Sequence, residues 1–201
     1  MTIDAFPVEH VPDDSARLER LHARLEDAAV GEAAPDVHFR VVDSPLGALF
    51  VAATEQGVVR LAFELEDAEA VQQQLADRIG PRVLRAPRRL DPVARWLDAY
   101  FAGAAAPFDG PIDLRLARGF RLQVLQHLQQ VAYGRRISYG ALAAAAGNPG
   151  AVRATGTACA TNPLPLLIPC HRVVRSDGTI GAYRGGTEAK VRLLALEAPP
   201  A

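Results

Sequence analysis

Cysteine is scarce in this chain, which has only two, Cys159 and Cys170, among 201 residues. Two cysteines cannot form the disulfide framework of a small secreted domain, and both can stay reduced in a cytosol. The first residues lack the basic stretch and the apolar core of a signal peptide, and no window is hydrophobic over the length of a membrane span. We therefore expect a cytoplasmic protein with no membrane partner.

The chain also has almost no net charge, with a formal value of −1. A value near zero by itself argues against a nucleic-acid-binding protein. The charges are unevenly divided, however. Residues 1–117 contain 12 arginines and 20 acidic residues, a net charge of −8, whereas residues 118–201 contain 10 basic and 3 acidic residues, a net charge of +7. A basic half suits phosphate contact, because released counterions supply much of the affinity for DNA. The alternative is a basic face that is merely solvated.

Hydrophobic periodicity predicts a mixed α/β (α+β) protein with a helical extension over residues 1–36. Apolar residues that alternate from Val37 onward predict strands, and apolar residues at helical spacing predict helices. The elements predicted before residue 117 are a helix over residues 15–29, a small antiparallel sheet within 37–65, a covering helix from Ala68 to Ile79, and a helix for which Asp91 is the N-cap ahead of Pro92.

The stretch Gly103–Pro111, rich in alanine, glycine and proline, is the best boundary between an N-terminal domain, residues 37–117, and a C-terminal domain, residues 118–201. The C-terminal domain is predicted to be a winged helix-turn-helix. Its predicted elements are a helix from Phe120 that ends near Gly134, a short helix capped by Ser138, a second helix of the motif over residues 150–161, a hairpin or wing from Arg172–Val174 and Thr179–Tyr183, and a last helix capped by Thr187.

Cys170 lies in the most informative run of the chain, Asn-Pro-Leu-Pro-Leu-Leu-Ile-Pro-Cys-His-Arg-Val-Val over residues 162–174. A thiol next to an imidazole and a guanidinium can be held as the thiolate, which is the nucleophilic form. The prolines and branched apolar residues predict a rigid, buried segment. A Cys-His pair alone is more often a small buried hydrophobic residue beside an ordinary histidine.

The whole run resembles the active-site signature of the O6-alkylguanine-DNA alkyltransferases, the methylated-DNA–protein-cysteine methyltransferases. The resemblance continues from about Val131 to Glu197, and a less specific resemblance covers part of the N-terminal domain. The motifs that carry it are Ile137-Ser138-Tyr139-Gly140, Ala146-Gly147-Asn148-Pro149, Val152-Arg153-Ala154, Gly181-Ala182-Tyr183-Arg184-Gly185-Gly186, Leu194-Ala195-Leu196-Glu197, and Val42-Asp43-Ser44-Pro45-Leu46-Gly47 with Gly57-Val58-Val59.

The resemblance implies irreversible, single-turnover transfer of an alkyl group from O6-alkylguanine in DNA to Cys170. His171 would take the thiol proton through a water molecule, and Glu197 would orient His171. Tyr139 would donate a proton or a hydrogen bond to the leaving guanine. Asn162 would tie the recognition helix to the active-site segment. Each residue also has an ordinary structural reading, such as a solvated helix-terminal acid for Glu197 or an aromatic residue packed on the helix for Tyr139.

The resemblance also implies double-stranded DNA as partner, bound in the minor groove with the damaged nucleotide flipped out, by a monomer. Arg153 would fill the vacated stack, and small residues beside it would allow a close approach. The residues implied for DNA contact are Arg153, Ala154, Gly156, Tyr139 and Arg172, and those implied for the substrate pocket are Pro165, Val173, Tyr183, Arg184 and Gly185.

Arg184 departs from the family pattern, since many members have a small residue there, and predicts a narrower or more basic pocket lip. No cysteine precedes residue 159, so the zinc site of some members is not expected, and neither is a cofactor. Three other functions stay open. A non-catalytic alkyltransferase-like protein would lack Cys170, a winged-helix regulator leaves the Cys170 run unexplained, and a Cys-His protease lacks a matching oxyanion-hole motif.

Overall fold

The computed structural model describes residues 35–198 together with Arg17, Arg20 and Leu21. The predicted helix over residues 15–29 lies, except for those three residues, outside the described part of the chain. No described helix is long and apolar enough to cross a membrane. The elements are β1 (Val37–Val42), β2 (Leu49–Thr54), β3 (Gly57–Phe63), α1 (Ala68–Arg78), β4 (Val83–Arg85), α2 (Asp91–Phe101), α3 (Gly119–Leu128), β5 (Ile137–Ser138), α4 (Tyr139–Ala145), α5 (Val152–Ala160), β6 (Val173–Val174) and α6 (Gly186–Leu196).

Strands β1, β2 and β3 form the predicted antiparallel sheet. A fourth strand, β4, pairs with β1 in parallel, so the strand order is β3-β2-β1-β4. The sequence did not predict β4, because its three residues are too few to show a pattern of alternation.

Strands β2 and β3 are buried on both faces, which is why their sequences are nearly continuous apolar runs. Alternate side chains point to opposite faces of a strand. Phe50 and Ala52 pack with Val71 and Leu75 of α1 on one face. The opposite face of the sheet belongs to a larger core that continues through α2 into the helices of the C-terminal half. The two halves of the described chain therefore share one hydrophobic core.

The outer edge of β3 is covered by segments from elsewhere in the chain. Val58 N–H donates to Pro111 O at 2.9 Å, and Asp113 N–H donates to Val58 O at 2.9 Å. Leu61 N–H donates to Pro163 O at 2.8 Å. An exposed strand edge would leave backbone groups unpaired, and these contacts satisfy them. The last contact also ties the N-terminal sheet directly to the run that contains Cys170.

Helices α4 and α5 form the predicted helix-turn-helix. Ser138 caps α4 as expected, because its hydroxyl accepts a 3.1 Å hydrogen bond from Ala141 N–H. The turn between the two helices contains Gly147, whose φ of +80° is a left-handed conformation that glycine adopts without steric cost. Asn148 and Pro149 follow it and separate the two helices.

Several local predictions are wrong. The wing over residues 172–183 does not form: Val173 and Val174 pair in parallel with Ile137 and Ser138, and residues 179–183 form no strand, because the core accepts β6 beside β5 instead. Thr187 is not the cap of α6, which begins one residue earlier without a side-chain cap. Asp91 is the first residue of α2 rather than its N-cap, and it pairs with Arg40 at 2.7 Å. Helix α3 ends at Leu128 rather than near Gly134.

Candidate functional site

The run from Asn162 to Val174 is buried at every residue, as its apolar composition predicts. Asn162 fixes its shape, because the side-chain Nδ2 donates to Ile168 O at 2.8 Å and the Oδ1 accepts from Leu164 N–H at 3.0 Å. Leu166 has a φ of +72°, a left-handed conformation that a branched residue rarely adopts. Such a conformation persists only where the surroundings determine it, so this segment is held rigidly.

Cys170 begins a single 3-10 turn that ends at Arg172 and leaves its thiol 3% exposed. Asn162 Nδ2 donates a hydrogen bond to Cys170 Sγ at 3.2 Å. Burial raises the pKa of the Cys170 thiol to about 11, although the Asn162 hydrogen bond and the positive charge of Lys190 act in the opposite direction. The thiol is therefore protonated at neutral pH and needs a base to become a nucleophile.

His171 is fully buried behind Cys170, and its Nε2 lies 2.8 Å from Glu197 Oε1. An ionised carboxylate only accepts hydrogen bonds, so Nε2 carries the proton and Nδ1 has a free lone pair. That Nδ1 is buried and has no protein partner among residues 35–198. Burial lowers the pKa of His171, against the opposing effect of Glu197, so the ring is neutral at pH 7 and can accept a proton.

Glu197 is the C-cap of α6 and is 3% exposed. Burial alone would raise the pKa of its carboxyl group, but hydrogen bonds from His171 and Arg172 outweigh burial and hold that pKa well below its ordinary value. Gly134 N–H adds a weaker hydrogen bond of 3.3 Å to Oε2. Glu197 is therefore a permanently ionised acceptor at the centre of a buried hydrogen-bond network.

Arg172, which the sequence predicted for DNA contact, lies in the interior beside Glu197. Its side chain is 11% exposed and forms a double contact with Glu197, through Nε at 2.8 Å to one carboxylate oxygen and Nη2 at 2.8 Å to the other. Its Nη1 donates to the backbone oxygen of Val131. A guanidinium matches a carboxylate in this geometry, and Arg172 is fully committed to it.

Tyr100 of α2 is a member of this network that the sequence did not indicate. Its hydroxyl donates to Glu197 Oε1 at 2.7 Å and lies 3.4 Å from His171 Nε2. Burial raises the pKa of this phenol well above its ordinary value, so it remains a donor. No local pattern could reveal the contact, because 97 residues separate Tyr100 from Glu197.

Lys190 is a second residue that the sequence analysis missed. It is fully buried, and its Nζ donates to Val173 O at 2.6 Å. Burial lowers the pKa of its ammonium, and negative charge on Cys170 or Cys159 would act in the opposite direction. The sequence contains a signal for Lys190, because residues 190, 194 and 197 share one face of a helix and Glu197 is a predicted site residue.

Tyr183, predicted for the substrate pocket, and Tyr139, predicted for catalysis and DNA contact, lie near His171 and Cys170 respectively. The ring of Tyr183 stands edge-on to the ring of His171, with centroids 6.3 Å apart, and its hydroxyl is buried without a partner among residues 35–198. Gly181 lies under the phenol of Tyr139, because a Cβ there would be 2.6 Å from the hydroxyl oxygen. Burial raises the pKa of Tyr139, with a smaller contribution from Cys159 and Cys170.

The other predicted pocket residues have contacts of a different kind. Gly185 packs against the ring of Phe63, where a Cβ would approach within 2.9 Å. Arg184 pairs with Glu66 at 2.7 Å, so the guanidinium that was expected at the pocket lip is held by the N-terminal half. Pro165 and Val173 are buried within the active-site segment.

The outer face of α5 is exposed at Val152, Arg153, Ala154 and Thr157. A Cβ at Gly156 would meet no atom within 4 Å, so this part of the helix is open. The structure thus separates the predicted residues into two groups. Arg153, Ala154 and Gly156 lie on or beside an accessible helix face. Of the residues assigned to chemistry, Asn162, Cys170, His171 and Glu197 are buried and Tyr139 is half-buried. The part of the chain that the structure describes contains no cluster of three or more His, Cys, Asp or Glu residues that could hold a metal ion.

Two family models match the chain over nearly all of its described length. Residues 37–114 match the ribonuclease-like domain of 6-O-methylguanine DNA methyltransferase, and residues 119–199 match the DNA-binding domain of the same family.

Similar proteins include a methylated-DNA–protein-cysteine methyltransferase from Mycolicibacterium paratuberculosis, 36% identical over 80% of this chain and 92% of the relative. The enzyme of the same name from Mus musculus is 41% identical over 81% of this chain and 82% of its own length. Among solved structures, that of Mycobacterium tuberculosis OGT in complex with DNA is 34% identical, covers 81% of this chain and 95% of the other, and has a TM-score of 0.70.

Proposed function

The chain belongs to the 6-O-methylguanine DNA methyltransferase family, and we propose that Cys170 is the residue that accepts the alkyl group. The protein is a methylated-DNA–protein-cysteine methyltransferase that repairs DNA by direct alkyl transfer. The observation that carries the assignment to Cys170 is the buried arrangement of its thiol, the neutral His171 ring and the ionised Glu197.

In the proposed reaction, the thiol proton of Cys170 passes through a water molecule to Nδ1 of His171 as the sulfur attacks the alkyl carbon. A sulfur–carbon bond forms while the carbon–O6 bond breaks, and guanine leaves with the electron pair. Glu197 stabilises the imidazolium that results, and Tyr139, whose raised pKa keeps it protonated, donates to the leaving base. Asn162 supports the developing thiolate through its hydrogen bond to Sγ.

The acceptor is consumed in this reaction, because a thioether is a poor leaving group and no described residue could remove the alkyl group from it. We therefore infer one turnover for each protein molecule. Tyr183 is placed to line the pocket for the base, since its ring contacts the His171 ring edge-on and its buried hydroxyl is available to a ligand.

For DNA, we propose that α5 approaches the minor groove and that the alkylated nucleotide is flipped out of the duplex to reach Cys170. A thiol that is 3% exposed cannot reach a base inside a duplex, and extrusion costs a few kcal/mol. Arg153 is exposed on α5 and would occupy the vacated position, with Ala154 and Gly156 allowing a close approach.

We propose that the two domains have different tasks. Residues 118–201 contain the DNA-binding surface and the residues that carry out alkyl transfer. Residues 37–117 support this site through Tyr100 and β3. The two family models meet near the same boundary, at residues 114 and 119. We further propose that the protein acts as a monomer in the cytoplasm, where two free thiols stay reduced.

DNA that contains labelled O6-methylguanine tests the proposal. We expect label on the protein at one methyl per molecule by intact mass, with Cys170→Ser inactive and Cys159→Ser active as the matched control. A non-catalytic damage-binding protein or a winged-helix regulator would bind DNA and take up no label. Label on Cys159, or several methyl groups transferred by each molecule, would contradict the proposal.

A further inference from the structure

A second concave site, which Cys170 does not line, lies between α1, the start of α3, the end of α5 and the loop before α6. Its volume is about 220 Å³. Four arginines from different parts of the chain line it, Arg60, Arg78, Arg121 and Arg184, together with Gln74, Leu116, Thr161 and Pro163. The catalytic steps proposed above use none of these residues. We call this site the arginine pocket.

The positive charge of the arginine pocket is only partly neutralised. Among the described residues, Glu66 is the acid that pairs with these arginines, and it contacts both Arg60 and Arg184. Arg60 is 2% exposed and also donates to the backbone oxygen of Pro163 at 3.2 Å, so it is a structural residue of the pocket floor. The carboxylate of Glu66 therefore pairs with two guanidinium groups, those of Arg60 and Arg184. The guanidinium groups of Arg78 and Arg121 have no acidic partner among the described residues.

Arg121 and Arg78 supply the uncompensated charge. Arg121 Nη2 donates to Thr161 O at 2.7 Å, but its buried Nε has no partner among residues 35–198. Arg78 is exposed and forms no hydrogen bond or ion pair within the same part of the chain. Burial lowers the pKa of Arg121, and the like charges of Arg184 and Arg78 lower it further. This mutual repulsion persists unless an anion enters.

We propose that the arginine pocket binds a phosphate group. Guanidinium groups present planar pairs of N–H donors that match phosphate oxygens, and they are the preferred side chains for this ligand. The half-buried Arg121 and the exposed Arg78 both line the pocket and provide such guanidinium groups.

The location favours a phosphodiester of bound DNA as the source of that phosphate. Thr161 is the C-cap of α5, so the pocket lies at the far end of the helix whose first turn contains Arg153. A DNA strand that follows α5 would reach the pocket beyond the flipped nucleotide. This part of the inference rests on the proposed function; free inorganic phosphate is the other source with the same chemistry.

Arg78→Gln and Arg121→Gln test the inference, with Arg95→Gln as the matched control, because Arg95 is an exposed helical arginine on α2 outside the pocket. Binding to duplex DNA is measured against salt concentration in a Cys170→Ser background. Each pocket variant should reduce the slope of log K against log salt by about 1, whereas Arg95→Gln should not. Arg78→Gln is the cleaner variant, since it removes no contact within the described chain.

A second experiment measures the thermal unfolding temperature of the full chain with and without inorganic phosphate at constant ionic strength. Unchanged salt slopes together with phosphate stabilisation that the pocket variants lose would assign the site to free phosphate. Unchanged slopes and no phosphate effect would overturn the inference. Methyl transfer from the free base O6-methylguanine is measured in parallel. If this transfer is normal while neither the salt slopes nor the phosphate stabilisation depends on the pocket arginines, phosphate binding in the arginine pocket is contradicted and the proposed function is not. If the wild-type protein transfers no methyl group, the proposed function fails instead.

Discussion

The hydroxyl of Tyr100 donates a 2.7 Å hydrogen bond to Glu197 and thereby joins the N-terminal half to the residue that orients His171. Both side chains are almost fully buried, at 1% and 3% exposure. Glu197 Oε1 accepts from Tyr100, His171 and Arg172 at once, so the carboxylate has a single possible position. The N-terminal half therefore contributes to the geometry of the site through Tyr100.

Tyr100→Phe should lower the free energy of unfolding by about 2 kcal/mol, because a buried hydrogen bond to a charged acceptor is lost. It should also slow methyl transfer from DNA and from the free base alike, since the position of Glu197 affects His171 in both reactions. Denaturant unfolding and single-turnover rates measure the two effects. Tyr133→Phe is the control, because its hydroxyl donates to the partly exposed Leu196 O and should cost about 1 kcal/mol or less. Equal effects of the two variants would contradict the role of Tyr100.

The Cys170 thiol should make stability depend on pH above neutrality. Burial raises its pKa from 9.0 to about 11, so the folded protein holds this proton more tightly than the unfolded chain does. The resulting stabilisation is fully present below pH 9 and is lost as the pH rises through 11. The difference in unfolding free energy between wild type and Cys170→Ser should therefore fall by up to about 3 kcal/mol over this window. A pH-independent difference would show that the folded thiol titrates normally.

Variants of Arg153 and Glu197 should differ in which substrate they affect, duplex DNA alone or duplex DNA and the free base. Arg153→Ala should slow repair of duplex DNA far more than reaction with free O6-methylguanine, because only the duplex reaction requires extrusion of the base. Each 1.4 kcal/mol of lost stabilisation corresponds to about a tenfold slower reaction. Glu197→Gln should slow both reactions, since it disturbs activation of Cys170. If Arg153→Ala reduces both rates equally, the arginine supports the fold rather than the flipped state.

Arg172→Gln should act on stability rather than on DNA contact. Loss of one partner of a buried ion pair costs about 3–5 kcal/mol, because Glu197 would keep its charge with fewer donors. Arg192→Gln removes an arginine from an exposed pair with Glu188 and should cost less than about 1 kcal/mol. Denaturant unfolding compares the two. A reduced salt dependence of DNA binding with unchanged stability for Arg172→Gln would restore the DNA-binding interpretation.

The sequence by itself determined the family and most of the regular elements, and it indicated the residues that we propose as nucleophile and base. These features depend on short-range patterns. Alternation from Val37 indicates a strand with one buried face, and the apolar runs of β2 and β3 indicate strands buried on both faces. Ser138 satisfies an orphan N–H at the start of α4, and Gly147 permits the left-handed turn between α4 and α5. Cys170 and His171 are adjacent in the chain, so the pair is visible in the sequence without knowledge of the fold.

Only the tertiary structure decided which charged residues face inward. Arg172 and Arg153 are both arginines in the basic half, yet one is buried against Glu197 and the other is exposed on α5. The predicted wing is absent for the same reason, because Val173 pairs with Ile137 of β5 rather than with residues 179–183. Burial and partners depend on contacts between residues far apart in the chain, such as Tyr100 with Glu197. Local periodicity contains no information about such contacts, because they form only when the two halves close on a common core.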